Sequence, residues 1–127
     1  MLNYRKQPVL TYGVTATQLI HKDLKKSKRI VNTVNYLTQK FGKGSFVIKD
    51  HWEGDLNAIG LADNDGKYLI YFSVYEDNSN NFHVSLERET AGAFFPYDQA
   101  GDFDKVDLNE LERLLVMHLR IKTGNPA

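Results

Sequence analysis

Apolar residues recur at helical spacing through Leu19, Ile20, Leu24, Ile30, Val31, Val34, Leu37 and Phe41, which predicts an N-terminal amphipathic helix. Its start is marked by Thr15 as cap with Gln18 three residues on, and by Val14 and Leu19 at staple positions. Gly42 and Gly44 end it. The mostly charged run Lys22 to Arg29 places a break near Ser27, which would divide the helix in two. The same grammar returns near the C-terminus. Asp107 caps, Glu110 completes a box, Val106 and Leu111 form a staple, and Leu108, Leu111, Leu115 and His118 or Leu119 trace one face. Gly124 and Pro126 stop this second helix.

Between the helices the period falls to two. Strand-like runs occupy 45–49, 56–62, 67–76 and 81–88. Asp65-Gly66 is a hairpin signal, and a turn there pairs Leu61 with Ile70 and Ile59 with Phe72. A three-residue turn at Asp77-Asn78-Ser79 pairs Val74 with Phe82, Phe72 with Val84 and Ile70 with Leu86. Both choices put the apolar members on one face, as burial requires. The expected architecture is α+β: a four-stranded antiparallel meander flanked by an N-terminal and a C-terminal helix, in the order α-β-β-β-β-α.

The opposite face carries Ala58, Gly60 and Ala62 beside Leu69, Tyr71, Ser73 and Tyr75, then His83, Ser85 and Glu87. Two readings are open: a helix packs on it, as central strands often require, or it is a contact surface, since tyrosine offers large contact area with a polar tip. Residues 89–105, with Phe94, Phe95, Tyr97 and Phe103 among Asp98, Asp102 and Asp104, read as a long connection. Its aromatics either tuck under the sheet or present an acidic, aromatic loop to a basic partner.

With 127 residues, 42% apolar and 25% charged, the whole chain (1–127) is expected to be a single domain. The absence of cysteine removes disulfides and thiolate chemistry. The opening residues lack the apolar core of a secretory signal, and no run reaches membrane-spanning length, so a cytoplasmic location is expected. Net charge is zero but divided. Residues 1–49 hold ten Lys/Arg and one acid; residues 50–127 hold six Lys/Arg and fifteen acids. The halves either neutralise each other or one of them meets a charged partner.

Few groups are arranged for chemistry. Asp50-His51-Trp52-Glu53-Gly54-Asp55 gathers carboxylates, an imidazole and the sole tryptophan, but matches no metal spacing and lacks an established catalytic pattern. Asp63-Asn64-Asp65-Gly66 fails as a calcium loop because its first and twelfth ligand positions would be Leu61 and Phe72. No phosphate loop or nucleophile elbow appears. A binder without cofactor or metal, not an enzyme, is therefore expected. The basic segment Lys22–Arg29, with Arg5, Lys6, Lys40 and Lys43, keeps nucleic-acid binding open as the alternative, although no recognised nucleic-acid motif accompanies it.

The segment Asp50–Ala62, followed by Tyr68–Ser73 and Phe82–Glu87, resembles small bacterial immunity proteins of contact-dependent growth inhibition and related toxin systems. The resemblance implies a cytoplasmic, non-enzymatic inhibitor that binds a cognate toxin C-terminal domain, many such toxins being basic nucleases. Trp52, Glu53, Asp55, Tyr97, Asp98, Asp102 and Asp104 are the residues expected to form the partner surface.

Overall fold

The computed structural model describes residues 24–50, 53–75, 79–90 and 97–123. The elements run α1 (Lys28–Phe41), β1 (Val47–Ile48), β2 (Ala58–Ala62), β3 (Tyr68–Val74), β4 (Phe82–Glu89), β5 (Tyr97–Val106) and α2 (Leu108–Leu119). The α+β architecture is the expected one, and the antiparallel meander continues one strand further than expected, in the order β1-β2-β3-β4-β5.

Ser27 starts α1: its hydroxyl accepts a hydrogen bond from the Ile30 amide at 3.4 Å. This is where the charged run suggested a break. Gly42, at φ 99°, ends the helix in a conformation that L side chains rarely adopt. The proposed cap at Thr15 and its staple lie outside the described residues. In α2 the Asp107 carboxylate accepts from the Glu110 amide at 2.8 Å, but the Glu110 side chain turns to Arg113 rather than closing the box. The helix also stops well before Gly124. Arg120 takes the left-handed conformation (φ 58°), and Ile121 folds back so that its amide reaches the Val116 carbonyl at 3.1 Å. Ile121 is buried there, so an apolar contact ends α2 where sequence reasoning looked for glycine.

The registers of the central strands follow the period-two reading. Ile59 pairs with Phe72 and Leu61 with Ile70; Ile70 pairs with Leu86, Phe72 with Val84 and Val74 with Phe82. At the hairpin Gly66 has φ 74°, and Asp63 Oδ1 accepts from the Lys67 and Tyr68 amides at 2.8 and 3.1 Å. Asp77 and Asn78 of the second turn lie outside the described residues.

The fifth strand occupies much of the stretch expected to be a connection. It lacks a clean alternation for a physical reason: the pairing with β4 shifts between Phe82 and Val84 and again between Leu86 and Glu87. Each bulge resets which residues point inward. The strand is also the sheet's edge among the described residues, so only Val106 is fully committed to the core.

The two described helices pack on one face. Ile30, Val34 and Leu37 from α1 and Leu111, Leu114, Leu115 and Leu119 from α2 share one buried cluster with Ile59, Leu61, Ile70, Phe72, Val84 and Leu86. Phe72 meets Phe82 edge-on at 5.7 Å. A polar tie joins the helices above this core. Glu112, 8% exposed, accepts from the Tyr36 hydroxyl at 2.8 Å and pairs with Lys40. The bond to Glu112 raises the pKa of both Tyr36 and Lys40.

On the other face, Gly60 is required by a close approach. A Cβ there would lie 2.4 Å from the Lys49 carbonyl oxygen. Gly60→Ala should therefore lower the free energy of unfolding by about 2 kcal/mol, as overpacking against a fixed backbone atom does. Gly44→Ala, where nothing lies within 4 Å, should change it by less than about 0.5 kcal/mol. Urea denaturation of both variants measures the contrast.

Candidate functional site

The face of the sheet turned away from the helices is built in rows that the registers define. One row runs Gly60, Tyr71, Ser85 and Asp102 across β2 to β5. A second holds Ala58, Ser73 and His83, a third Ala62, Leu69, Glu87 and Gln99. Neighbouring strands lie about 4.8 Å apart, so Tyr71 and Asp102 are separated by about 10 Å.

Cover grades across this face. Ala58, Ala62 and Leu69 are fully buried, although none belongs to the core cluster beneath the helices. Tyr71, Ser73, Tyr75, His83 and Glu87 are half-buried, and the β5 acids stand in solvent. The small residues of β2 therefore form the closed side and the β4–β5 edge the open side.

The open side is organised around His83. Its Nε2 lies 2.9 Å from Asp102 Oδ1 and its Nδ1 2.7 Å from Asp104 Oδ1. The Tyr75 hydroxyl reaches the same Asp104 oxygen at 3.4 Å and accepts a hydrogen bond from the Lys105 amide at 3.1 Å. Lys105 has φ 55°, so the hydroxyl satisfies an amide that the bulge turns away from the ladder. The Asp102 and Asp104 side chains remain 51% and 77% exposed. The bond from His83 holds the Asp104 carboxyl below its ordinary range.

Tyr71 lies in a negative field. Burial raises its pKa first, and the charges of Asp55, Asp50 and Glu87 raise it further. Beside it Lys26 Nζ bridges Asp50 Oδ2 and the Asp55 carbonyl oxygen, both at 2.7 Å, with its side chain 3% exposed. Asp55 Oδ1 accepts from the Asn57 amide at 3.0 Å, shaping the entry to β2.

The residues expected to form the partner surface are thus partly assembled. Asp102 and Asp104 share His83, and Asp55 lies close enough to act on Tyr71. Glu53 is exposed in the turn before β2. Tyr97 and Asp98 stand at the other end of β5. Tyr97 lies seven residues, about 20 Å, from Asp104. Its hydroxyl donates to the Gly66 carbonyl at 2.9 Å, and Lys49 Nζ sits 5.4 Å from its ring centre. Contact with Tyr97 raises the Lys49 pKa. Asp98 is paired in register with Arg88. Trp52 and His51 lie outside the described residues. The bridging role of His83 and the field at Tyr71 were missed by sequence reasoning, because both depend on strand register rather than on a local motif.

The basic segment divides. Lys25 and Lys28 are exposed, but Lys26 is bound to Asp50, and Arg29 donates to the Tyr75 carbonyl at 3.0 Å. Part of the charge asymmetry between the two halves is therefore neutralised inside the fold. Among the described residues no group of three or more His, Cys, Asp or Glu side chains is placed to hold a metal ion, and no helix is long and apolar enough to cross a membrane. The geometry offers carboxylate acceptors and tyrosine faces, groups suited to cationic side chains.

No family model matches the chain, and no match is found among curated proteins or solved structures.

Removing one member of a buried ion pair leaves its partner charged and desolvated. Lys26→Ala should thus cost about 3 kcal/mol of stability in urea unfolding, against less than about 0.5 kcal/mol for the exposed Lys25→Ala. A depressed Asp104 pKa contributes stability above the ordinary carboxylate range, lost as pH falls through the folded value. Asp104→Asn should accordingly reduce the acid-side loss of stability, measured as unfolding midpoints from neutral pH down to pH 2.

Proposed function

We propose that the chain is an immunity protein: it binds a cognate toxin domain through the acidic, tyrosine-bearing face of its sheet and neutralises it without catalysis. The observation that carries this reading is the placement of Asp102 and Asp104, exposed and joined through His83, on the same face as Tyr71 and Tyr75. Two consequences follow from ordinary electrostatics. The acids steer a cationic partner and speed encounter, while the half-buried tyrosines supply apolar area once the partner is docked. A basic nuclease domain is the partner class that such a face suits, because a surface built to hold phosphates presents lysine and arginine. The resemblance of residues 50–87 to immunity proteins of contact-dependent growth inhibition agrees with this reading, and cytoplasmic action follows from it.

Within that reading Asp55, Asp102 and Asp104 carry the electrostatic part, with the exposed Glu53 extending it towards the entry of β2. Tyr97 and Asp98 form a separate flank.

The test is binding to the toxin-like domain encoded beside this chain. The double variant Asp102→Lys, Asp104→Lys should slow association by at least about tenfold at low salt, since reversing surface charge acts mainly on encounter. The difference should shrink in about 0.5 M salt as screening removes the steering. An unchanged association rate, or a neighbouring gene with no toxin-like region, contradicts the proposal. If Lys25→Ala with Lys28→Ala abolishes retention on heparin while toxin binding is absent, the nucleic-acid alternative holds instead.

A further inference from the structure

We infer that His83 is a proton-gated clasp for the edge strand: the doubly protonated ring pins Asp102 and Asp104 of β5, and loss of one ring proton frees Asp102. Both ring nitrogens lie within hydrogen-bond distance of carboxylate oxygens, at 2.9 Å for Nε2 and 2.7 Å for Nδ1. An ionised carboxylate only accepts hydrogen bonds. A neutral imidazole has one N–H and one lone pair, so it can serve one of these carboxylates but not both. Satisfying both contacts together requires the imidazolium.

The groups facing His83 from adjacent elements decide which contact is lost. From β3 comes the uncharged Ser73, its register partner, and from just beyond the strand the Tyr75 hydroxyl. From β5 come Asp102, Asp104 and, through its amide, Lys105. Along β4, Ser85 and Glu87 follow on the same face. Asp104 sits closer to the ring, at 2.7 Å against 2.9 Å for Asp102, so the remaining N–H stays on Nδ1. Asp102 then faces the Nε2 lone pair, a repulsive contact, and swings into solvent.

The position of the clasp gives its opening a consequence. It lies beside the β4–β5 register shift between Phe82 and Val84, at the left-handed Lys105, where the ladder is interrupted and side chains must hold the strand. The clasp is closed while the ring holds both protons and opens when it loses one. Opening loosens the strand around Asp102–Lys105 and removes one positive charge from the acidic face. This device is intrinsic to the free chain and does not depend on the partner.

Amide chemical shifts and hydrogen exchange of residues 102–105, corrected for the intrinsic pH dependence of exchange, test it across pH 5 to 8, the span in which histidine ordinarily changes charge. The wild-type protein should show one coherent step and lose protection by about two- to fivefold on the alkaline side, the range that exposed ion pairs supply. His83→Gln, with no titrating ring, should show no step. Asp102→Asn should shrink the step, because its amide N–H can donate to the ring's lone pair and keep the contact at high pH. This variant decides the matter should His83→Gln fail to fold. Absence of a step in the wild type, an equal step in His83→Gln, or a full step in Asp102→Asn overturns the inference.

Discussion

Packing of both described helices on one face of the sheet is the constraint on which everything else depends. Because side chains alternate across a strand, committing Ile59, Leu61, Ile70, Phe72, Val84 and Leu86 to the helices sends Gly60, Tyr71, Ser73, His83 and Ser85 to the opposite face. Among the described residues, two helices cover one surface of a five-stranded sheet. The other surface grades from fully buried small residues on β2 to solvated acids on β5. That gradient decides where an interaction face can exist: at the open β4–β5 side, with Tyr71 between the open and closed halves.

The way charge is distributed follows from the same geometry. The basic N-terminal portion and the acidic remainder do not simply meet and cancel. Lys26 enters a shielded bridge with Asp50, and Lys40 joins Tyr36 on the shielded Glu112. Each removes one cation and one anion from the asymmetry and locks helix-side chain to its surroundings. The carboxylates of β5 have no lysine or arginine among the described ion pairs. Their bridge is the His83 ring, whose two nitrogens lie 2.9 and 2.7 Å from Asp102 and Asp104. An acidic face tied by histidine is held together less firmly than the interior, and it is also more accessible to a competing cation from outside.

Much of the central fold was legible because the residues there obey one rule at a time. Period two with Asp65-Gly66 specified the β2–β3–β4 registers, and Asp107 marked the start of α2. Elements were lost where two effects compete. In β5 the acids and two register shifts erase the alternation, so a ten-residue strand reads as a loop. At the end of α2, burial of Ile121 overrides the preference for glycine and forces Arg120 into the left-handed region. The candidate site was half legible for the same reason. Asp102, Asp104 and His83 could each be named, but their meeting depends on the bulged β4–β5 register. Tyr97 and Asp98 shared the composition of the acidic stretch and were drawn into the expected surface with it, although an extended strand carries them to its far end.

The central claim is that the sheet's outer face, not the helices, meets the partner. Hydrogen exchange of the chain with and without the toxin domain proposed as its partner addresses it directly. The account predicts new protection across residues 71–75, 83–87 and 99–105, with α1 and α2 unchanged. Protection confined to α1 and α2, with β3 to β5 exchanging as in the free protein, would contradict it.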